Sequence, residues 1–230
     1  MTSTPRQRYR EQVRAEIKQA ALAQIGAGGA AALSLNAVAK QLGMTGPAIY
    51  KYFRGRDDLL TELILDGYGE AAEAVRRAAA AVAGRPARER LHALARAYRE
   101  WAVASPQVFL LLAGTPSPGY VAPPETLDRA RTVLGPFLEV LGEGRVGATA
   151  GGLAGQLRRW TEEVPEVAEW VRAYAPEADP ATALTGAVMV WSRLHGVVSL
   201  EVQGQFSGMG HRPGTLLEVE MDLLADAMGL

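Results

Sequence analysis

Residues 33–53 read LSLNAVAKQLGMTGPAIYKYF. Leu35, Val38, Ala39 and Leu42 recur at i, i+3, i+4 and i+7, the spacing of one face of a short amphipathic helix, and Ser34 stands where an N-cap belongs. Gly43 then occupies a position that calls for a left-handed backbone, which a Cβ would strain. Thr45 is placed to cap a following helix whose first turn holds Pro47, where a missing N–H removes no intrahelical bond. On a wheel of about 100° per residue, Ile49 and Phe53 fall together and face the preceding helices. Pro47 and Lys51 lie opposite, with Ala48 and Tyr50 on the flanks.

Two short helices joined by a tight glycine turn, the second exposing a flat basic face with a phenol beside it, make a helix-turn-helix. Its second helix fits the major groove of duplex DNA. Upstream, Val13, Ile17, Ala20, Ala21 and Ile25 mark one face of a first helix, which GAGG at 26–29 ends. The charge distribution agrees. Residues 1–60 carry nine Lys/Arg against four Asp/Glu, a balance of +5 in a chain whose net charge is −1, so the remainder carries −6. A basic end on an acidic body points to a polyanionic partner for the first sixty residues.

The run LNAVAKQLGMTGPAIYKYFRGRDDLLTEL, residues 35–63, resembles the DNA-binding domain of TetR-type transcriptional regulators, and the likeness extends over about residues 10–65. In that family the recognition helix ends in an aromatic, a variable residue, an aromatic and Phe, here Tyr50-Lys51-Tyr52-Phe53. A basic residue and an acidic, Leu-rich helix start follow. Arg56 stands where the family usually has lysine. The resemblance implies that Tyr50 and Tyr52 contact backbone phosphates, for which a phenol donates without adding charge. Arg56 and the start of the fourth helix offer a cation and unpaired N–H groups to another phosphate, and Ser34 does likewise at the second helix. Lys51 is placed to read guanine O6/N7, with one more phosphate contact as its alternative role. Thr45, Gly46, Pro47 and Ala48 allow close approach or methyl contacts with thymine.

The reading divides the chain into a DNA-binding domain over 1–56, with its motif at about 34–53, and a larger helical effector-binding and dimerisation domain over 57–230. A long fourth helix carries Leu59, Leu60, Leu63, Ile64, Tyr68, Ala71 and Val75 on one stripe. Gly67 and Gly69 inside it read either as a pivot or as close packing against a neighbour. GRP at 84–86 and Ser105-Pro106 bracket a fifth helix, and VFLLLAG suggests a short buried one. GTPSPGYVAPP at 114–124 reads as a surface loop. Further helices are expected over 125–142, over 152–175 with a bend or split at Pro165, from Asp179-Pro180 to about Gln205, and over 213–229. The fold class is all-α.

Composition narrows the chemistry. The chain has no cysteine and three widely spaced histidines, so disulfides and thiolate zinc sites are excluded and neither a metal nor a cofactor is expected. No nucleophile–base pairing or strand-borne phosphate loop suggests an enzyme. No run approaches the ~20 apolar residues of a membrane span, and the N-terminus lacks a secretion signal, so a cytoplasmic location is expected. The rival class is a membrane-surface or interaction protein using its basic N-terminal helices, for which the alanine-weighted apolar face of the first helix is a poor fit.

WSRLHGVVSLEVQGQF at 191–206 resembles a C-terminal Trp-His-Gly signature in one branch of the same regulators. In that family the last two long helices form a four-helix dimer interface, which implies a homodimer with Gly196 and Ser199 at the contact. Tyr98, Trp101, Phe109, Trp160, Met189 and Trp191 read as lining of an apolar pocket or as plain core. His195 reads as a ligand or pH-switch group, or as a core histidine. The family implies a small-molecule effector, of identity not encoded in these motifs, whose binding moves the two recognition helices off a palindromic operator. Occupying a promoter needs no polymerase contact, which favours repression over activation.

Overall fold

The computed structural model describes residues 4–114 and 119–230, and every regular element within them is helical. In chain order these are α1 (Pro5–Gly28), α2 (Leu35–Gln41), α3 (Gly46–Ile49), α4 (Arg56–Ala81), α5 (Ala87–Ala104) and α6 (Pro106–Ala113). They continue with α7 (Pro124–Leu141), α8 (Gly151–Glu163), α9 (Pro165–Tyr174), α10 (Pro180–Val202) and α11 (Pro213–Met228). Two short 3₁₀ turns, Ala30–Ala32 and Ala148–Ala150, lie in stretches without a helical repeat. The all-α expectation holds. The expected break at Pro165 is a full separation of α8 from α9, whereas α7 runs through Pro136. Of the loop expected over 114–124, residues 115–118 lie outside the described residues.

The chain forms two compact units. One takes the residues up to Gly67 together with Pro106–Thr126, the other Tyr68–Ser105 together with Leu127–Leu230. In the first, α1 buries Val13, Ile17, Ala20, Ala21 and Ile25, the stripe its 3.6-residue repeat defines. It packs on α2 and α6, and α2 packs on α3. Ile17 and Ile49 are fully buried and Phe53 nearly so, each contributing about 1.5–3 kcal/mol of apolar burial. The apolar face of α1 is therefore occupied within the unit and is not presented to a lipid surface.

Gly67 is buried in α4, and a Cβ there would lie 2.4 Å from Val108 Cγ1 and 2.9 Å from Leu112 Cδ1 of α6. Close packing is thus the role of Gly67. Gly69 faces open space, and α4 passes both glycines without interruption.

In the second unit α10 is central, packing on α5, α8, α9 and α11. Asp179 caps it by accepting the Thr182 N–H at 3.2 Å, and Pro180 occupies its first turn. Ala183, Leu184, Ala187, Val190, Leu194, Val197 and Val198 are all buried. The buried hydroxyl of Thr185 donates to the Ala181 carbonyl at 2.6 Å, so it adds no unsatisfied donor. By length and composition this helix is long and apolar enough to cross a membrane, which corrects the expectation that no such run exists. Its surroundings account for its composition: it is the helix that the others cover.

Candidate nucleic-acid interface

The helix-turn-helix is built by local chemistry. Ser34 Oγ accepts the Ala37 N–H at 3.4 Å, so the predicted N-cap is present, and the Ser34 N–H donates to Gln24 Oε1 at 3.2 Å. At the other end of α2, Gly43 has φ +66°. The Met44 N–H reaches the Ala39 carbonyl at 2.8 Å and the Gly43 N–H that of Lys40 at 3.2 Å. These paired bonds are a Schellman motif, which satisfies the last carbonyls of α2 and turns the chain sharply into α3.

α3 itself is one turn. Thr45 sits at its N-cap without a side-chain cap bond, and Pro47 lies in its first turn. Beyond Ile49 the turn tightens: the Lys51 N–H donates to Ala48 at 3.2 Å and the Tyr52 N–H to Ile49 at 2.9 Å. Ile49 and Phe53 point into the core, while Thr45, Pro47, Tyr50 and Lys51 are exposed and Gly46, Ala48 and Tyr52 are half-buried. The structure therefore gathers these seven site residues on one surface, with Ser34 exposed at the start of the adjacent helix.

Two arginines of α1 hold this surface in place. Arg10 Nη2 donates to the Lys51 carbonyl at 3.5 Å. Arg14 donates to the Tyr52 carbonyl and to Glu62, and its guanidinium stands 4.3 Å over the Phe53 ring. Lys18 continues the row with contacts of 3.1 Å to Glu62 and 2.6 Å to Asp66. Burial raises the Glu62 carboxyl, but the hydrogen bonds and charges of Arg14 and Lys18 lower it further, leaving it below its ordinary value. Arg10, Arg14 and Lys18 stand at i, i+4 and i+8, a signal visible in the sequence but absent from the predicted site.

Arg56 is placed differently from its predicted role. Its Nε donates to the Leu33 carbonyl at 3.2 Å and its Nη2 to the Ala30 carbonyl at 2.7 Å. The guanidinium clamps the linker between α1 and α2 instead of extending toward solvent. The exposed cation at this corner is Arg54, whose side chain is 91% exposed and bridges to Asp58 at 2.8 Å.

Of the seven predicted ligand residues, Trp160 and Trp191 line one groove and Trp101 borders another cleft. Phe109 belongs to the core of the first unit. In the second, Tyr98 is 5.6 Å from Trp101 and 6.1 Å from Trp191 between ring centroids, and Trp191 is 4.1 Å from His195. Tyr98 is buried core. Trp101 borders a cleft between α4 and α5 with Glu70, Glu73 and Glu100, and its indole N–H donates to Glu70 at 3.4 Å. Trp160 and Trp191 line a different groove, on α7–α10. Met189 is half-buried and belongs to neither lining. His195 is half-buried, and burial pushes its pKa down, toward the neutral form.

A capped helix, a Schellman turn and a short second helix with an exposed Tyr-Lys face define a DNA-binding helix-turn-helix joined to a larger helical body. Residues 17–63 match the family described as bacterial regulatory proteins, tetR family, and residues 91–224 match the tetracyclin repressor-like C-terminal domain. The chain belongs to the TetR family of transcriptional regulators. It is 35% identical over 221 residues to the HTH-type transcriptional regulator Rv1816 of Mycobacterium tuberculosis, covering 94% of this chain and 92% of the relative. Among solved structures, that of SCO4313 is 44% identical with a TM-score of 0.79, covering 97% of this chain and all of that one. The TetR-family regulator PfmR of Thermus thermophilus shares the fold at 17% identity, with a TM-score of 0.58 and coverage of 92% and 98%. The chain is a DNA-binding transcriptional regulator.

Proposed function

We propose that the protein is a homodimeric repressor that holds a palindromic operator through two copies of the α2–α3 face and leaves it when a small apolar effector binds the second unit. The carrying observation is the surface on which Thr45, Pro47, Tyr50 and Lys51 stand exposed while Ile49 and Phe53 anchor it from beneath. Lys51 reads guanine, Tyr50 and Tyr52 hold phosphates, and Thr45 to Ala48 approach the base edges. Arg54 takes the phosphate role at the α4 corner, because Arg56 is committed to the carbonyls of Ala30 and Leu33.

Dimerisation through α10 and α11 is supported by their exposed apolar residues, Val188 and Leu200 on one and Val219 and Leu223 on the other. Gly196 is exposed on α10, and a Cβ there would have no other element within 4 Å among the described residues, which leaves room for a partner helix. Two half-sites one helical turn apart need a separation of about 34–36 Å, so a modest change in the spacing of two α3 helices weakens binding. This mode of action places the protein in the cytoplasm with its DNA.

The test is fluorescence-anisotropy titration against duplexes from the region upstream of its own gene, at two salt concentrations, with Tyr50→Ala as control. Saturable binding above that to random-sequence DNA, lost in the variant, supports the reading. Binding to anionic vesicles with no preference for any duplex would replace it with the membrane-surface class.

A further inference from the structure

The groove on α7–α10 has a volume of about 300 Å³, at the lower end of small-ligand pockets. Leu134, Leu184, Trp160, Trp170 and Trp191 give it carbon walls, and Arg131 is the one charged residue among the described residues lining it. Its guanidinium stands 5.6 Å from the Trp170 ring centroid, and its side chain is 26% exposed. Nη1 hydrogen-bonds to Asp128 Oδ1 at 3.3 Å, one turn away on α7; Asp128 itself is 74% exposed, so this is a screened surface pair.

We infer that this groove binds an amphipathic monoanion, a small molecule whose apolar body lies against the tryptophans and whose carboxylate is held by Arg131. A guanidinium cannot shed its proton. A neutral apolar ligand would cover the charge and strip its water without replacing those bonds, an unfavourable exchange. A carboxylate replaces them with charge-assisted bonds in a fork geometry suited to it, while an ammonium is repelled. The inference narrows the effector reading from an apolar molecule to one with an apolar body and an anionic head, and it rests on that reading only for the consequence at DNA, not for the binding itself.

Three of the four tryptophans line the groove, so intrinsic emission of the full-length protein reports occupancy directly. The probe is octanoate, with 1-octanol and octylamine as comparisons. The expected result is saturable binding of octanoate about tenfold or more tighter than octanol, the amine being weakest. Arg131→Gln weakens octanoate and brings octanoate and octanol to about the same affinity. Asp128→Asn, which removes the competing carboxylate, tightens octanoate a few-fold and keeps the inference testable if the first variant folds poorly.

Equal affinity for octanoate and octanol, no saturable emission change, or an octanoate affinity indifferent to both variants would overturn the inference. So would a change in sedimentation coefficient without a saturable site, which would assign the groove to a second copy of the chain. Operator affinity is followed separately. Arg131-dependent octanoate binding that leaves DNA affinity unchanged upholds the site while removing the effector role. Octanoate-driven release of DNA that is indifferent to both Arg131→Gln and Asp128→Asn overturns the site and leaves the effector role standing.

Discussion

Arg56 Nη2 lies 2.7 Å from the carbonyl oxygen of Ala30, twenty-six residues earlier in the chain. With the second bond to Leu33, it fastens the first residue of α4 to the linker that sets the angle of α2. Hydrogen bonds from a charged, partly buried donor contribute about 1.5–3 kcal/mol each. Arg56→Ala is therefore expected to lower the urea midpoint of the first unit and to weaken all DNA sequences in proportion to lost folding. Arg56→Lys recovers only part of the stability, since an ammonium cannot bridge both carbonyls in the same fork. A variant with native stability but a salt dependence shallower by about one ion would return Arg56 to phosphate binding.

Lys51 and Tyr50 stand side by side on the exposed face, yet their losses are expected to differ in kind. Lys51→Ala should relax preference for operator over random DNA, with a discrimination loss of about 1–3 kcal/mol at one position. Tyr50→Ala should weaken every sequence alike. Anisotropy titrations on matched and scrambled duplexes separate the two; a uniform loss for Lys51→Ala would make it a phosphate contact.

The two glycines of α4 are expected to respond in opposite directions. Gly67→Ala forces a methyl against Val108 and Leu112, an overpacking that costs about 1–3 kcal/mol, and shortening the neighbour with Val108→Ala should recover part of it. Gly69→Ala meets open space and should stabilise the helix by up to about 1 kcal/mol. Thermal midpoints of the two singles and the Gly67→Ala/Val108→Ala double decide this. A Gly67→Ala protein as stable as the parent would contradict the packing role.

Acid should loosen the first unit through Glu62. Burial raises its pKa and the bonds from Arg14 and Lys18 lower it further, to a net value below 4.5. A depressed carboxylate contributes stability that is present above its unfolded value and is lost as pH falls through the folded one. Lys18 is the mirror case. Burial lowers it less than Asp66 and Glu62 raise it, so its contribution holds below 10.5 and fades as pH rises through the raised value. Urea midpoints followed from pH 7 downward should decline more steeply in the parent than in Glu62→Gln below about pH 4.5. Parallel profiles would assign the acid response to other carboxylates.

Most helices are legible in the sequence because burial writes a 3.6-residue repeat and because Ser34, Gly43, Asp179 and the first-turn prolines act locally. The exposed face of α3 is legible for the same reason: Ile49 and Phe53 fix which side is inward. What periodicity cannot carry is a side chain's choice among distant partners. Arg56 turns to carbonyls more than twenty residues away, and Arg14 finds Tyr52 and Glu62 only after α1, α3 and α4 meet. Aromatic size signals burial and does not sort the lining of one cavity from that of another. Tyr98 and Phe109 are core, Trp101 borders an acidic cleft, and Trp160 with Trp191 borders a groove whose charge, Arg131, looks in the sequence like any surface arginine.

The first unit is discontinuous along the chain, since Val108 and Leu112, which cover Gly67, arrive some forty residues after it. At roughly 5–20 residues per second of synthesis, the first three helices leave the ribosome several seconds before α6 can close over them. A nascent chain stopped near residue 70 thus holds a helix-turn-helix whose α4 side is uncovered. The segment Pro106–Thr126 completes the headpiece, and a cut between the two DNA-reading helices and the body would not release a finished domain.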